Sequence, residues 1–290
     1  MKLFIFGLGY SATYIAQQLA AGGAAIAGTV RSRAKADQLS GLGYAMRQFS
    51  VAERDAAVAR DLADSDAVLV SVPPDARGDP ALQVYRDDLA AASRLRWIGY
   101  LSTVGVYGDR DGGWVDEATV PVPTNEASHR RLDVERQWQQ FGDTHHIPVH
   151  LFRLAGIYGP GRNQLVQLAE GKARRIVKPG HVFNRIHVED IAQMVEASLA
   201  RPRAGAIYNG ADGAPAPPQD VVTFAAEICG VAPPPEIPYE RAQLTPMSQS
   251  FFSECKRVRS GLLRDELGIT LRYPSFREGL TALRAAGDGP

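Results

Sequence analysis

The 290-residue sequence has only two cysteines and no excess of charge of either sign. Cys229 and Cys255 lie far apart without the spacing of metal ligands, which excludes a disulfide framework and a zinc ribbon. We therefore expect no metal and a cytoplasmic location. The 32 Lys and Arg residues balance the 32 Asp and Glu residues, so no net field draws the chain onto nucleic acid or an anionic membrane. Neither is expected as a partner.

Charge is also absent from Leu3 to Val30, a stretch long enough to cross a bilayer. Its repeated glycines and its adjacent Gln17 and Gln18 argue against a single apolar helix. A signal peptide is not expected either, because Lys2 is followed by a short apolar run that meets a glycine-rich turn instead of a cleavage site. The stretch is better interpreted as a strand, a turn, a helix and a second strand.

The turn carries the pattern Gly-x-Gly-x-x-Ala between a strand at 3–6 and a helix predicted over 12–21. Gly7 permits a tight turn, Gly9 lets a pyrophosphate approach bare backbone, and Ala12 lets the helix lie close to its strand. Amide groups at the start of the helix then face the phosphate oxygens. The pattern predicts a dinucleotide site formed by Gly7, Leu8, Gly9, Tyr10, Ser11 and Ala12.

The residues after the second strand, predicted over 24–30, indicate which dinucleotide binds. An NAD site normally presents an acid there to the ribose 2′-hydroxyl, whereas a 2′-phosphate needs a cation. This sequence has Arg31 and Arg33, and its first acid is Asp37. Either guanidinium would make charge-assisted bonds to a phosphate, although the alternative is a pair of solvated surface arginines. We expect NADP, with NAD the less favoured cofactor.

Strands and helices continue to alternate along the first hundred residues. Near-continuous apolar strands separated by helices predict an α/β fold with a doubly wound parallel sheet, the Rossmann type. Ligand is then expected at the carboxyl ends of the strands, where Gly7, Ser71 and Thr103 fall. We predict further strands at 44–49, 67–72 and 97–103 and helices at 33–39, 54–62 and 80–95.

Proline-rich stretches at 210–218 and 233–235 predict rigid connectors to a smaller lobe. This lobe is mainly C-terminal, and we expect it to bind substrate. The expected division places the NAD(P)-binding core at 1–161 and 184–210 and the substrate lobe at 162–183 and 211–290.

The segment from Tyr100 to Gly108 resembles the strand end of the extended short-chain dehydrogenases/reductases, the NAD(P)-dependent epimerase/dehydratase family. Four further segments occur in the order and at the spacing of that family: 131–135, 152–161, 185–190 and 207–210. The resemblance covers nearly the whole chain. It implies a Rossmann fold, a nicotinamide cofactor and a small-molecule substrate.

The resemblance also implies roles for single residues. Thr103 falls at the family's Ser/Thr position, where a hydroxyl would bond a substrate carbonyl or hydroxyl; the alternative is a strand threonine bonded to backbone. The family's Tyr-x-x-x-Lys pair falls on Ala127 and Arg131, so the chain is identified as an atypical member without the tyrosine. Arg131 cannot act as an acid near neutrality but can bind the cofactor ribose or a substrate anion. Tyr158 is our candidate for the proton donor, ahead of Tyr107.

No catalytic role is assigned to His129, His145 or His146, and a structural role is favoured for His187. His129 is about 200° around the helix from Ala127 and is expected at the surface. His145 and His146 are placed in a loop, and His187 is expected to pack and cap a helix that starts near Glu189, although a histidine near a cleft can also titrate usefully.

A cationic, aromatic region follows the core strands. Arg162 and Arg185 lie beside family motifs and are predicted to bind an anionic substrate. Phe251 and Phe252 form either an apolar wall over the site or C-terminal core.

The favoured function is an NADP-dependent oxidoreductase of a small carbonyl or hydroxyl substrate, by fold analogy. One alternative is a non-catalytic NADP(H)-binding sensor, which the Ala127 replacement favours. Another is an epimerase or dehydratase with a tightly bound cofactor. The oligomeric state is left open between monomer and homodimer.

Overall fold

A computed structural model describes residues 1–290, except for the side chain of Met247. The strands are β1 (Lys2–Phe6), β2 (Ala25–Val30), β3 (Ala45–Gln48), β4 (Ala67–Val70), β5 (Trp97–Thr103), β6 (Trp114–Val115), β7 (Val149–Leu154), β8 (Gly156–Tyr158), β9 (Arg175–Val177), β10 (Arg185–His187), β11 (Ala206–Gly210), β12 (Glu236–Pro238) and β13 (Arg257–Val258). The helices are α1 (Tyr10–Ala21), α2 (Arg33–Ser40), α3 (Ala56–Ala63), α4 (Pro80–Ala91), α5 (Glu126–His145), α6 (Gln164–Ala169), α7 (Val188–Leu199), α8 (Pro218–Cys229), α9 (Pro246–Phe252), α10 (Gly261–Asp265) and α11 (Phe276–Ala285).

Seven strands form one parallel sheet in the order β3-β2-β1-β4-β5-β7-β11. The chain first winds from β1 towards β3 and then returns to place β4 on the other side of β1. The direction of winding therefore reverses between β1 and β4, and ligands bind at the carboxyl ends of the strands beside such a point. The predicted doubly wound Rossmann fold is confirmed.

Helices cover both faces of the sheet because its strands are apolar on both sides. In β1, Leu3 and Ile5 pack into one hydrophobic cluster, and Phe4 and Phe6 pack into another. The first cluster includes side chains of α1 and α7, and the second includes side chains of α3, α4 and α5. This alternation follows from the two-residue period of a strand.

Most element boundaries fall within a few residues of their predicted positions, and β5 has the predicted bounds. Helix α1 begins two residues before the predicted start, because Gly9 is its N-cap. The placement of His145 in a loop is wrong. Helix α5 continues through His145 and ends only where His146 adopts a left-handed conformation with φ of 55°.

A third hydrophobic cluster joins the end of β8 to α6, α8 and α11. Three two-stranded parallel ladders, β8 with β10, β9 with β12 and β6 with β13, bring the C-terminal half of the chain over the sheet's carboxyl edge. Within the part of the chain that the structure describes, no helix is long and apolar enough to cross a membrane.

Candidate active site

The glycine loop lies between β1 and α1, beside the reversal in strand order. Gly7 has a φ of 83°, and a Cβ atom there would lie 2.7 Å from Val72 Cγ1. Both facts require glycine. Thr29 of β2 holds the turn, because its Oγ1 accepts from the Gly7 amide at 3.0 Å and its carbonyl accepts from Leu8 at 2.8 Å. The loop is thus fixed by the sheet itself.

Gly9 and the first turn of α1 form an open face of backbone. Outside its two chain neighbours, the protein atom nearest to a Cβ atom on Gly9 would be the Gly7 carbonyl oxygen, at 4.0 Å. No side chain caps the N-terminus of α1. The amides of Tyr10, Ser11 and Ala12, being in the first turn, have no intrahelical acceptor. Bare backbone, free space and a positive helix end together fit the diphosphate of a dinucleotide.

Arg31 and Arg33 follow the carboxyl end of β2, and both side chains are exposed. Arg33 lies 3.8 Å from Asp37, one helical turn along α2. The Arg31 guanidinium takes part in no hydrogen bond or ion pair among the described residues, while the Arg31 carbonyl accepts from Gln48 Nε2 at 3.1 Å. Ser71 follows β4, where its amide donates to the Phe6 carbonyl at 2.9 Å. Because Asp37 is an ion-pair partner of Arg33 and the Arg31 guanidinium has none among the described residues, Arg31 is the better candidate of the two to bind a phosphate group.

A cavity of about 740 Å³ opens at the carboxyl ends of β5 and β7. Six of the predicted catalytic, cofactor and substrate residues line it: Thr103, Arg131, Tyr158, Arg162, Arg185 and Phe251. Four of its lining residues are cationic and one, Glu254, is a carboxylate. The fourth cation is Lys256, which was not predicted from the sequence to lie at the site. This balance favours a ligand of negative charge.

Thr103 ends β5 and begins a single 3₁₀ turn over Val104–Tyr107. Its Oγ1 accepts from the Gly105 amide at 3.1 Å, which leaves the hydroxyl hydrogen available to a ligand. Arg131 of α5 reaches the same strand, where its Nη1 donates to Tyr100 Oη and to the Leu101 carbonyl, both at 3.0 Å. Helix α5 therefore holds a cation beside the end of β5.

Tyr158 ends β8, and its hydroxyl donates to the Ser275 carbonyl at 3.3 Å. The residue is only 7% exposed, and burial raises the pKa of its phenol well above the usual 10, with the charges of Asp212 and Asp190 adding to this shift. Its ring also contacts Gly279, where a Cβ atom would lie 2.1 Å from the phenol oxygen. The side chain thus joins β8 to α11 at the cavity wall.

Arg185 begins β10, beside β8. Its Nη1 donates to the carbonyls of Phe183 and Ala216 at 3.0 and 3.2 Å. Burial lowers the pKa of Arg185 to about 10. The guanidinium lines the cavity, and the two backbone oxygens fix its orientation.

Arg162 connects the cavity to the glycine loop, because its guanidinium carbon lies 5.5 Å from the centre of the Tyr10 ring. The Tyr10 hydroxyl donates to the Pro160 carbonyl at 3.1 Å. The two adjacent phenylalanines differ in their surroundings. Phe251 is 60% exposed at the cavity, whereas Phe252 is buried and stacks against His181 at 5.2 Å.

Two groups at the cavity were missed by sequence reasoning. The first is Lys256 with Glu254, which approach from the C-terminal segment. The second is a buried ion pair beneath the cavity floor, in which Arg153 Nη2 donates to Glu135 Oε2 at 2.7 Å. Ser102, which lines the cavity, donates to Glu135 Oε1 at 2.5 Å. Glu254 and Lys256 are near neighbours in sequence, but their partners Thr124, Asn125 and Gly108 lie more than a hundred residues away. Glu135 and Arg153 are 18 residues apart on a helix and a strand. No local sequence pattern therefore places either group at the cavity.

His187 and His129 lie where the sequence predicts. His187 is the N-cap of α7, with Nδ1 accepting from the Glu189 amide at 3.3 Å. Burial lowers the pKa of His187 to about 4. His129 is exposed on α5. Ala127, also exposed, precedes Arg131 by one helical turn.

The sequence is 31% identical over 248 residues to protein YeeZ of Escherichia coli K12, covering 80% of this chain and 85% of YeeZ. The chain belongs to the YeeZ family. A conserved protein of unknown function from Silicibacter pomeroyi is a structural relative of this YeeZ-family chain, with 45% identity, coverage of 99% of both chains and a TM-score of 0.89. No family model matches the chain.

More distant solved structures share the fold of the YeeZ-family chain. UDP-glucuronic acid 4-epimerase from Bacillus cereus, in complex with NAD, has a TM-score of 0.76 and 18% identity over 97% of both chains. The dTDP-glucose 4,6-dehydratase of Bacillus anthracis, also with NAD, has a TM-score of 0.79 and 13% identity, covering 99% of this chain and 97% of its own. The fold is therefore that of the NAD-dependent epimerases and dehydratases.

Proposed function

We propose that the chain is an NADP-dependent oxidoreductase acting on a small carbonyl or hydroxyl substrate that carries a negative charge. The glycine loop is the observation that carries this proposal. It combines a Gly7 whose positive φ and close contact with Val72 exclude a side chain, free space beside Gly9 and an uncapped helix start. The fold neighbours that hold NAD support a nicotinamide dinucleotide at this place.

The choice of NADP rests on Arg31. The neighbours named above carry NAD, so fold likeness does not favour the phosphorylated cofactor. An exposed guanidinium after β2 does favour it, because a 2′-phosphate is an acceptor for charge-assisted, bidentate hydrogen bonds. Ser71 lies at the carboxyl end of β4, which pairs with β1 on the side opposite β2. Arg131 is assigned to the nicotinamide ribose or the substrate.

The bound cofactor would supply a hydride to, or accept one from, a substrate carbon. Thr103 would donate its hydroxyl hydrogen to the substrate oxygen and so fix the reacting carbonyl at the end of β5. Arg162 and Arg185 would bind an anionic group elsewhere on the substrate. Phe251, at the cavity mouth, would cover the substrate and limit the access of water.

The test is NADPH oxidation with matched pairs of carbonyl compounds, each pair consisting of a carboxylate and its neutral methyl ester. Cofactor binding is measured on the same protein by the fluorescence of NADPH. We expect turnover with a carboxylate and a higher KM for its ester, because the ester loses the attraction of the cationic lining. Turnover that favours the esters would contradict the proposed substrate class.

A second candidate is a non-catalytic sensor of NADP(H). Ala127 favours it, because the resemblance to the epimerase/dehydratase family implies the catalytic tyrosine at this position and alanine cannot transfer a proton. Tight NADPH binding without turnover of any compound would support the sensor. An epimerase or dehydratase would instead retain its cofactor through purification and show no net NADPH oxidation.

A further inference from the structure

The proposed reduction needs a proton for the substrate oxygen, and few side chains at the cavity are able to give one. Guanidinium and amide groups do not lose protons near neutrality. Among the described lining residues this leaves Ser102, Thr103, Tyr158, Glu254 and Lys256. Three of these are occupied or unsuited. The Ser102 hydroxyl donates to Glu135, the Tyr158 hydroxyl donates to Ser275, and Thr103 is an alcohol that needs a proton source of its own.

Glu254 acts as an acceptor in the structure. Its Oε1 accepts from Thr124 Oγ1 at 2.5 Å and from Asn125 Nδ2 at 2.8 Å, and its Oε2 accepts from Lys256 Nζ at 2.6 Å. A carboxylate that accepts from three donors has no proton to give. Glu254 therefore serves to hold Lys256 in place, and Asn125, as the N-cap of α5, ties this arrangement to the helix of Arg131.

Lys256 is buried, with 6% of its surface exposed, yet it lines the cavity. Its Nζ donates to the Gly108 carbonyl at 2.7 Å and to Glu254. An ammonium group has three donors, so one N–H bond has no acceptor among the described residues. A buried ammonium hydrogen without an acceptor is costly unless water or a ligand receives it.

The position of Lys256 relative to Thr103 follows from the backbone that it binds. Arg131 holds the Leu101 carbonyl, two residues before Thr103, and Lys256 holds the Gly108 carbonyl at the far end of the 3₁₀ turn that Thr103 begins. The two cations thus bracket the segment that presents the Thr103 hydroxyl. All three side chains line one cavity.

We propose that Lys256 is the general acid of the reduction, delivering a proton from Nζ to the substrate oxygen that Thr103 binds. This inference rests on the proposed function. The carbonyl carbon accepts a hydride from the reduced nicotinamide dinucleotide, the electron pair of the C=O double bond moves to oxygen, and the Nζ–H bond breaks as the new O–H bond forms. The products are an alcohol, the oxidised dinucleotide and a neutral Lys256 amine, which regains a proton from water.

The charges around Lys256 come from two other segments besides its own. Glu254 contacts it directly, Asp109 lies beyond Gly108, and His181 and Lys178 approach from the stretch before β10. Burial lowers the pKa of His181 to about 4, so this histidine is neutral near pH 7. Glu254 and Asp109 therefore balance the charges of Lys256 and Lys178.

The kinetic test compares Lys256→Arg with the unmodified protein on a compound that the latter reduces. Arginine keeps the positive charge beside Gly108 and Glu254 but does not release a proton near neutrality. We expect kcat to fall by about 100-fold or more while KM changes by less than about threefold, as for the loss of a general acid. Added ethylammonium should restore turnover in Lys256→Ala in proportion to its concentration. The exposed Lys172→Arg is the matched control.

A second readout does not depend on turnover. Acetic anhydride is used to label lysine amines. Mass spectrometry follows the rate of acetylation at each lysine, with and without the alcohol that the reduction produces. We expect the product to slow labelling of Lys256 at least about fivefold and to leave Lys172 unchanged. The assignment would be overturned if the kcat of Lys256→Arg stayed within about threefold of that of the unmodified protein. It would also be overturned if the product did not change the rate of Lys256 labelling. Neither result bears on the proposed function, which the unmodified protein alone decides.

Discussion

The buried ion pair beneath the cavity should make Glu135→Gln strongly destabilising. The side chains of Arg153 and Glu135 are 4% and 1% exposed, and Glu135 accepts from Arg153 Nη2 at 2.7 Å and from Nε at 3.2 Å. Glutamine has nearly the same shape but no charge, so Arg153 would stay buried without a counter-charge. Breaking such a pair costs about 3–5 kcal/mol. The lower part of that range is expected, because Arg153 Nη1 keeps its bond to Tyr107 Oη at 3.1 Å.

Urea denaturation followed by circular dichroism measures the effect. The midpoint should fall while the slope of the transition stays unchanged, which assigns the change to stability. Glu126→Gln is the matched control on the same helix, because it breaks an exposed pair with Arg130. Exposed pairs of this kind contribute less than about 1 kcal/mol. Equal losses for the two variants would refute the argument that burial makes the Glu135 charge indispensable.

Three other changes test separate parts of the molecule. Arg31→Ala should weaken NADPH binding by about 10- to 100-fold and leave NADH binding unchanged, measured by fluorescence titration, because only NADPH offers a 2′-phosphate; an equal loss for both would remove Arg31 from the cofactor site. Thr103→Val should lower kcat at least about tenfold with unchanged NADPH affinity, and the reverse pattern would place Thr103 outside the reacting centre. His150 Nε2 accepts from the Arg203 amide at 2.9 Å, and burial lowers the pKa of His150 to about 4. As pH falls, the His150 imidazole is therefore protonated in the unfolded chain before it is protonated in the folded protein. The free energy of unfolding should fall as pH drops from about 6.5 to about 4. His150→Gln should reduce that pH dependence, and an unchanged pH profile would contradict the assignment.

Local sequence was sufficient to predict those parts of the structure that depend on residues close together in the chain. The glycine turn before α1 and the strand ending at Thr103 are specified by backbone geometry and by apolar runs of strand length. The prediction of a loop at His145 was wrong. The helix ends where His146 adopts a left-handed conformation, and no glycine stands there to indicate this end in the sequence. Continuation of α5 across polar residues depends on its packing against the sheet.

Contacts at the cavity between residues distant in sequence could not be predicted from local sequence. Lys256 reaches Gly108 across 148 positions of sequence, and no periodicity links the two. Phe251 and Phe252 are chemically identical neighbours, yet only the fold decides which ring is exposed at the cavity and which stacks on His181. Charge identifies candidates such as these, but tertiary contacts determine which of them share a site.

The central claim is that the turn containing Gly7 and Gly9 binds the diphosphate of a nicotinamide dinucleotide. Isothermal titration calorimetry of the protein with NADPH, NADP, NADH and NAD tests it directly. We predict saturable heat with one site per chain, strongest for NADPH. We also predict loss of that heat in Gly9→Val, whose side chain would occupy the free space above the loop. Absence of heat with all four nucleotides, or unchanged binding in Gly9→Val, would contradict it.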